Sequence, residues 1–143
     1  MNKAPLVLDT CALSNWEFLK WLETYHEKKV ISPLVYMEFS VYMLKKNKDH
    51  HKIKRLLDGA GIEIKAFNLE EAKTAADYMF EAGDRYKCNH CGKLNWNDCL
   101  IAANAPLPPY VFVTENVKDY YSLLDERRIK TPNEIMHPGR KID

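Results

Sequence analysis

The chain has 143 residues, a length that suits one domain built on one hydrophobic core. With 46% hydrophobic and 29% charged residues it has an ordinary globular composition and a well-solvated surface, and its net charge of +1 excludes a global pull towards nucleic acid, so any such field is local. No apolar run approaches the ~20 residues of a membrane helix, and Met1-Asn2-Lys3-Ala4-Pro5 leads into a strand rather than a signal peptide, so no membrane partner and a cytoplasmic address are expected.

In chain order, Pro5 to Asp9 reads as a short, fully buried strand, the pattern of a parallel sheet. Thr10 or Ser14 can cap a helix that carries Leu13, Trp16, Leu19 and Tyr25 at roughly helical spacing. Val30-Ile31 is a second strand. Ser32-Pro33, with Ser at N-cap and Pro at the first position, predicts a helix to about Lys46. A further helix is expected from about His50 to Asp58, stopped by Gly59 and Gly61, followed by a strand over 62–67. Asn68 and Glu71 resemble a capping box opening a helix to about Glu81. Residues 83–95 read as a loop, 97–105 as a helix closed by Pro106, Pro108 and Pro109, and 110–114 as the last strand, with a short helix near 121–127. The tail 132–143 has no periodicity and is expected to be peripheral. Strands alternating with helices predict an α/β fold, a three-layer sandwich with a central, mostly parallel sheet flanked by helices, spanning 1–143 as one domain with its core at about 5–122. Right-handed crossovers gather the strand ends at one edge, where such sheets bind ligands.

Four acids fall at suggestive places in that pattern. Asp9 ends the first apolar run, Glu38 lies in the Ser32-Pro33 helix, Asp98 opens the 97–105 helix, and Asp119 follows the 110–114 strand. Each has an ordinary explanation: a cap for Asp9, a solvated helix position for Glu38, a helix N-terminus for Asp98, a surface loop for Asp119. Together they form a set of hard oxygen ligands suited to Mg²⁺ or Mn²⁺. Two carboxylates ~4 Å apart repel by roughly 4 kcal/mol at an effective dielectric of 20. A bound cation removes that repulsion, and two cations can activate water and stabilise a leaving oxygen in phosphodiester hydrolysis. The expected chemistry is metal-dependent cleavage of a phosphodiester, with RNA as the substrate.

Three other features stand out. Cys88 and Cys91 form a Cys-x-x-Cys pair, readable as half of a Zn²⁺ site or as plain reduced thiols. Lys45, Lys46, Lys48, Lys52, Lys54 and Arg55 crowd one segment, either a solvated helical connection or a phosphate-contacting rim. Trp16, Phe18, Trp21, Tyr25, Tyr36, Phe39 and Tyr42 make the first helices aromatic; most belong to the core, and the surplus suggests a homodimer interface or a groove for a partner helix.

The chain resembles the PIN-domain ribonucleases, and within them the VapC-type toxins of toxin–antitoxin pairs. The matching pieces are Leu8-Asp9-Thr10 with Ser14, Ser32-Pro33-Leu34-Val35 with Glu38, Asn97-Asp98 followed by Ile101-Ala102-Ala103 and Ala105, and Val113-Thr114 with Asn116, Asp119 and Tyr120. The resemblance implies that Asp9, Glu38 and Asp98 are core metal ligands and Asp119 the fourth acid, with Asn116 and Glu115 as competitors for that place. It implies supporting roles for Thr10, Ser14 and Asn97, an endoribonuclease activity and an antitoxin partner. The alternatives are a housekeeping RNA-processing nuclease of the same fold and a non-catalytic RNA- or protein-binding module braced by zinc. The segment before Asp98, with its Cys-x-x-Cys pair, departs from the usual compact toxin.

Overall fold

The strand order and register decide where the acids meet. The computed structural model describes residues 3–82 and 96–139. Five parallel strands lie in the order β3–β2–β1–β4–β5, with β1 over Leu6–Leu8, β2 over Lys29–Ile31, β3 over Ile62–Ile64, β4 over Val111–Val113 and β5 over Ile129–Lys130. β1 is central, and Leu6, Val7 and Leu8 are all buried, as a strand covered on both faces requires. The chain first travels from β1 to β2 and β3, then returns past β1 to β4 and β5. Right-handed crossovers send the connections out of β1 and out of β4 in opposite directions, so a crevice opens between the ends of these two strands.

The helices flank this sheet. After β1 come α1 (Thr10–Leu13) and α2 (Trp16–Leu22), where the sequence suggested one longer helix. Asp9, not Thr10 or Ser14, is the N-cap of α1, and Ser14 closes it; Asn15 then starts α2 by accepting the Phe18 N–H at 3.1 Å. That side-chain bond offers the backbone a new helix start and breaks the run. The buried Lys29 donates from Nζ to the Leu22 and Tyr25 carbonyls, closing the C-terminal end of α2 from β2. Between β2 and β3 lie α3 (Pro33–Leu44), capped by Ser32, and α4 (His50–Gly59), capped by Asp49.

The second half carries α5 (Leu69–Ala82), α6 (Trp96–Asn104) and α7 (Pro132–Met136). The predicted capping box is present: Asn68 Oδ1 accepts the Glu71 N–H at 2.9 Å and Glu71 Oε1 accepts the Asn68 N–H at 3.1 Å. The third strand is shorter than expected, ending at Ile64. The short helix near 121–127 is replaced by two 3₁₀ turns at Val117–Tyr120 and Glu126–Arg128. The tail is not wholly peripheral: α7 begins with a capping box between Thr131 and Glu134, Pro132 is buried, and Ile135 and Met136 pack against the core. Just before it, β5 pairs with β4. A two-residue strand and a five-residue helix are too short to show periodicity, which is why the sequence hid them.

A buried polar brace fixes α6, the helix that carries Asp98. Asn104 Nδ2, near the C-terminal end of α6, donates to Glu71 Oε2 at 2.6 Å and to the Ala66 carbonyl at 3.0 Å; Lys65 Nζ donates to the same Glu71 oxygen at 2.7 Å. Asn104 is 2% exposed, so removing it leaves an under-satisfied carboxylate inside the protein. Asn104→Ala should therefore cost about 2–3 kcal/mol, read as a lowered urea midpoint at unchanged slope; a shift of under about 0.5 kcal/mol would show that the brace is dispensable.

Candidate functional site

Parallel pairing sets Leu6, Val7 and Leu8 of β1 against Val111, Phe112 and Val113 of β4. The Asp9 N–H continues this ladder to the Val113 carbonyl at 2.9 Å, and the Thr114 N–H reaches the Lys130 carbonyl at 2.9 Å. The residues just beyond the two strands thus stand side by side: Thr114 Oγ1 donates to Asp9 Oδ2 at 2.8 Å. Asp9 Oδ1 accepts the Thr10 N–H at 2.8 Å, and the Cys11 thiol lies 3.5 Å from Oδ2. Asp9 is both the helix cap and the centre of the site, since a carboxylate has lone pairs enough for both.

Glu38 arrives from α3, a turn and a half past the Ser32 cap. Thr10 Oγ1 donates to Glu38 Oε1 at 2.7 Å, so one residue ties its backbone to Asp9 and its hydroxyl to Glu38. Asp98 arrives from the first turn of α6. The hydroxyl of Tyr120 donates to Asp98 Oδ1 at 3.0 Å and lies close enough to Asp9 to feel its charge. Asp9 and Glu38 are therefore linked through Thr10, and Asp98 is held by Tyr120 in the neighbourhood of Asp9.

The other expected residues occupy different places. Asp119, itself buried, lines a cavity of about 370 Å³ with Glu115, Asn116, Val117, Lys118, Tyr121 and Glu134, and none of Asp9, Glu38 and Asp98 lines it. Asn116 donates its backbone N–H to Thr114 Oγ1 at 3.0 Å while its side chain is exposed; Glu115 accepts from Asn15 Nδ2 at 3.3 Å. Ser14 is exposed and its hydroxyl donates to the Thr10 carbonyl at 3.1 Å, which turns it towards the helix backbone. Asn97 is exposed in the first turn of α6. Cys88 and Cys91, and most of the 83–96 loop, lie outside the described residues. Lys45, Lys46, Lys48, Lys52, Lys54 and Arg55 are all exposed around the α3–α4 connection; Lys46 sits 4.6 Å above the Tyr42 ring and Lys54 pairs with Asp58 at 2.9 Å.

Three contributors were given no role from the sequence: Cys11, and Thr114 and Tyr120 of the matching segment. Thr114 carried a signal, because a hydroxyl directly after a buried strand faces the same sheet edge as Asp9. Tyr120 carried a weaker one, since a buried tyrosine needs a partner for its hydroxyl.

The electrostatics follow from burial. Desolvation raises the Asp9 pKa above the usual aspartate range, against the hydrogen bonds from Thr114, Thr10, Cys11 and Tyr120. Burial also raises Glu38; the Thr10 bond opposes this, and the charge of Asp9 adds to it. Cys11 is pushed up to about 12 by burial first and by Asp9 second, so it is a neutral thiol rather than a nucleophile. Tyr120 is held well above the ordinary tyrosine value by burial and by its two acidic neighbours. Among the described residues, no ion pair reaches Asp9 or Glu38. Two neighbouring acids of this kind fit a divalent cation by donor chemistry. Among the described residues, no three His, Cys, Asp or Glu side chains already converge as a ligand set.

The match to known proteins agrees with this geometry. The PIN domain family model matches residues 6–107. The chain is similar to a toxin–antitoxin complex from Klebsiella pneumoniae, with 22% identity, a TM-score of 0.61 and coverage of 89% of this chain and 97% of that one. It is similar to DNA-bound VapBC from Salmonella typhimurium, with 18% identity, a TM-score of 0.63 and coverage of 90% and 98%. A third similar structure is VapBC2 from Rickettsia felis bound to a promoter DNA fragment, with 21% identity, a TM-score of 0.58 and coverage of 88% and 97%. No curated protein matches the chain significantly. At these identities the solved structures share the fold, and the family model covers well over half of the sequence: the chain belongs to the PIN domain family.

Proposed function

We propose that the chain is a metal-dependent endoribonuclease that hydrolyses RNA phosphodiester bonds, acting as the toxin of a toxin–antitoxin pair. The observation that carries the reading is the Asp9–Thr10–Glu38 linkage at the crevice between β1 and β4, with Asp98 joined to it through Tyr120. Asp9, Glu38 and Asp98 would hold Mg²⁺ or Mn²⁺, with Asp119, Asn116 or Glu115 completing the set on the substrate side. Bound divalent cations would supply an activated water and a stabilised leaving oxygen. Within the protein, Thr114 and the Thr10 N–H fix the Asp9 carboxylate, and the Thr10 hydroxyl fixes Glu38. Cys11 stays protonated and keeps one side of Asp9 apolar.

The surface around the site suits its proposed partners. The exposed lysines beyond α3 would offset the repulsion between RNA phosphates and an acidic cleft. On α3 itself, Met37, Val41 and Leu44 recur four and three residues apart and are 50%, 48% and 43% exposed. That outward apolar stripe is where we place a second copy of the chain or a partner protein of the antitoxin kind. The similar structures are complexes of toxin with antitoxin, two of them bound to DNA, which supports the partner reading.

Asp98→Asn keeps the shape of the side chain and the acceptor facing Tyr120 while removing a ligand charge. It should lower Mg²⁺- or Mn²⁺-dependent cleavage of a structured RNA pool at least about 100-fold with an unchanged circular dichroism spectrum; retained cleavage would place the active site elsewhere. Cleavage by the native chain without growth arrest on expression would favour an RNA-processing nuclease over a toxin.

The raised acids also set a pH dependence. Asp9 and Glu38 hold protons in the folded chain to higher pH than in the unfolded one. The stability this lends is complete below about pH 4 and is lost as pH rises through the raised values. Metal-free protein should therefore show a Tm that declines towards neutral pH, a decline that Mn²⁺ suppresses and that Asp9→Asn reduces. Parallel Tm profiles for the native chain and Asp9→Asn would remove the claim.

Charge reversal of Lys45 and Lys46 together should weaken RNA binding about tenfold at low salt, measured by fluorescence anisotropy on the Asp98→Asn background, and should flatten the salt dependence. Identical binding curves would rule out a role for this rim.

A further inference from the structure

We propose that Tyr120 is a positioning residue, its hydroxyl setting the distance and orientation between Asp9 and Asp98 so that the two carboxylates take up a divalent cation together. This rests on the metal-dependent reading of the site and adds to it a residue that is not an acid.

The argument begins with where Tyr120 is anchored. It ends the 3₁₀ turn that follows β4, and its carbonyl accepts from the Leu123 and Leu124 N–H groups at 3.0 and 2.9 Å. Its ring is fully buried and packs against Phe112 of β4 with centroids 4.6 Å apart and planes at 52°, the tilted arrangement that aromatic pairs prefer. Both backbone and ring are thus fixed to the sheet, and the hydroxyl has a set place beneath the crevice. Asp9 is fixed to the same sheet at the end of β1. Asp98 is not: it rides on α6, which packs chiefly on α5. The bond from the Tyr120 hydroxyl to Asp98 Oδ1 at 3.0 Å, made beside Asp9, is therefore a direct gauge between the helix layer and the sheet.

The chemistry suits that role. A tyrosine hydroxyl has one proton and two lone pairs, so it donates to one carboxylate at a time while staying close to both. It reaches Oδ1 of Asp98 from the buried side, where its own ring is packed in the core. A side chain that is not a ligand but orients ligands in this way typically changes metal affinity by about 10–100-fold. Phenylalanine at this position would preserve the Phe112 contact and lose only the gauge.

The test is Mn²⁺ binding, by calorimetry or by the electron paramagnetic resonance signal of free Mn²⁺, to the native full chain and to Tyr120→Phe. Tyr120→Phe should bind Mn²⁺ about 10–100-fold more weakly. Its RNA cleavage should recover towards the native rate when Mn²⁺ is raised, with the KM for RNA unchanged. Ile53→Val, a buried α4 position remote from the acids, is the control for lost stability: it should leave Mn²⁺ affinity as in the native chain even where its Tm falls as far as that of Tyr120→Phe. Native-like Mn²⁺ affinity in Tyr120→Phe overturns the role of Tyr120 and leaves the metal reading standing. An equal loss of affinity in Ile53→Val also overturns it, since weakened binding would then follow from lost stability. Absence of Mn²⁺ binding by the native chain overturns both readings.

Discussion

Everything around the site follows from one constraint: a carboxylate held at the end of the central strand of a parallel sheet. Asp9 is 5% exposed, where an unsatisfied charge costs several kcal/mol. The backbone beyond β1 and β4 supplies what it needs. The Thr10 N–H is free to donate because the first N–H groups of any helix lack an internal partner, and Thr114 is delivered by the register of β4. Slipping that register by one residue would move Thr114 out of reach and turn Val111, Phe112 and Val113 to the wrong faces. The packing of the sheet and the satisfaction of Asp9 are therefore enforced by the same alignment.

The remaining acids depend on how firmly their helices are tied to that sheet. α3 is set by the Ser32 cap, the Pro33 start and the burial of Val35 and Phe39, with Thr10 closing the gap to Glu38. α6 is held at both ends: near its start by Tyr120 on Asp98, and near its C-terminal end by Asn104 on Glu71. The two ties differ in kind. The Asn104 brace joins helix to helix through a buried bond to Glu71, whereas the Tyr120 contact joins helix to sheet beside the crevice. The first ties α6 to the start of α5, and the second ties the acid of α6 to the sheet.

The fold was legible in the sequence wherever an element was long or punctuated. Ser32-Pro33 and the Asn68–Glu71 box announced their helices, and the buried runs at Leu6–Leu8 and Val111–Val113 announced the two strands that frame the crevice. What stayed hidden was short, as with β5 and α7, or turned on side-chain bonding, as with the break at Asn15. Of the site, the acids were visible because charge beside apolar sequence is unusual. Of the neutral groups that hold them, Thr10 was expected, but the roles of Thr114 and Tyr120 were not, because a threonine after a strand and a tyrosine after an aspartate look like ordinary core and turn residues until the register is known.

That difference bears on the fourth acid. In a 3₁₀ turn, with three residues per turn, consecutive side chains point about 120° apart. Tyr120 is directed at Asp98, and its neighbour Asp119 lines a cavity with Glu115, Asn116 and Glu134. The two residues divide the work of one short turn: one faces the carboxylates from the core, and the other lines the adjoining cavity. A sequence motif that runs Asp119-Tyr120 therefore places an acid and a hydroxyl on different walls. The hydroxyl is the member of the pair that donates to Asp98, and the buried acid lines the cavity beside it.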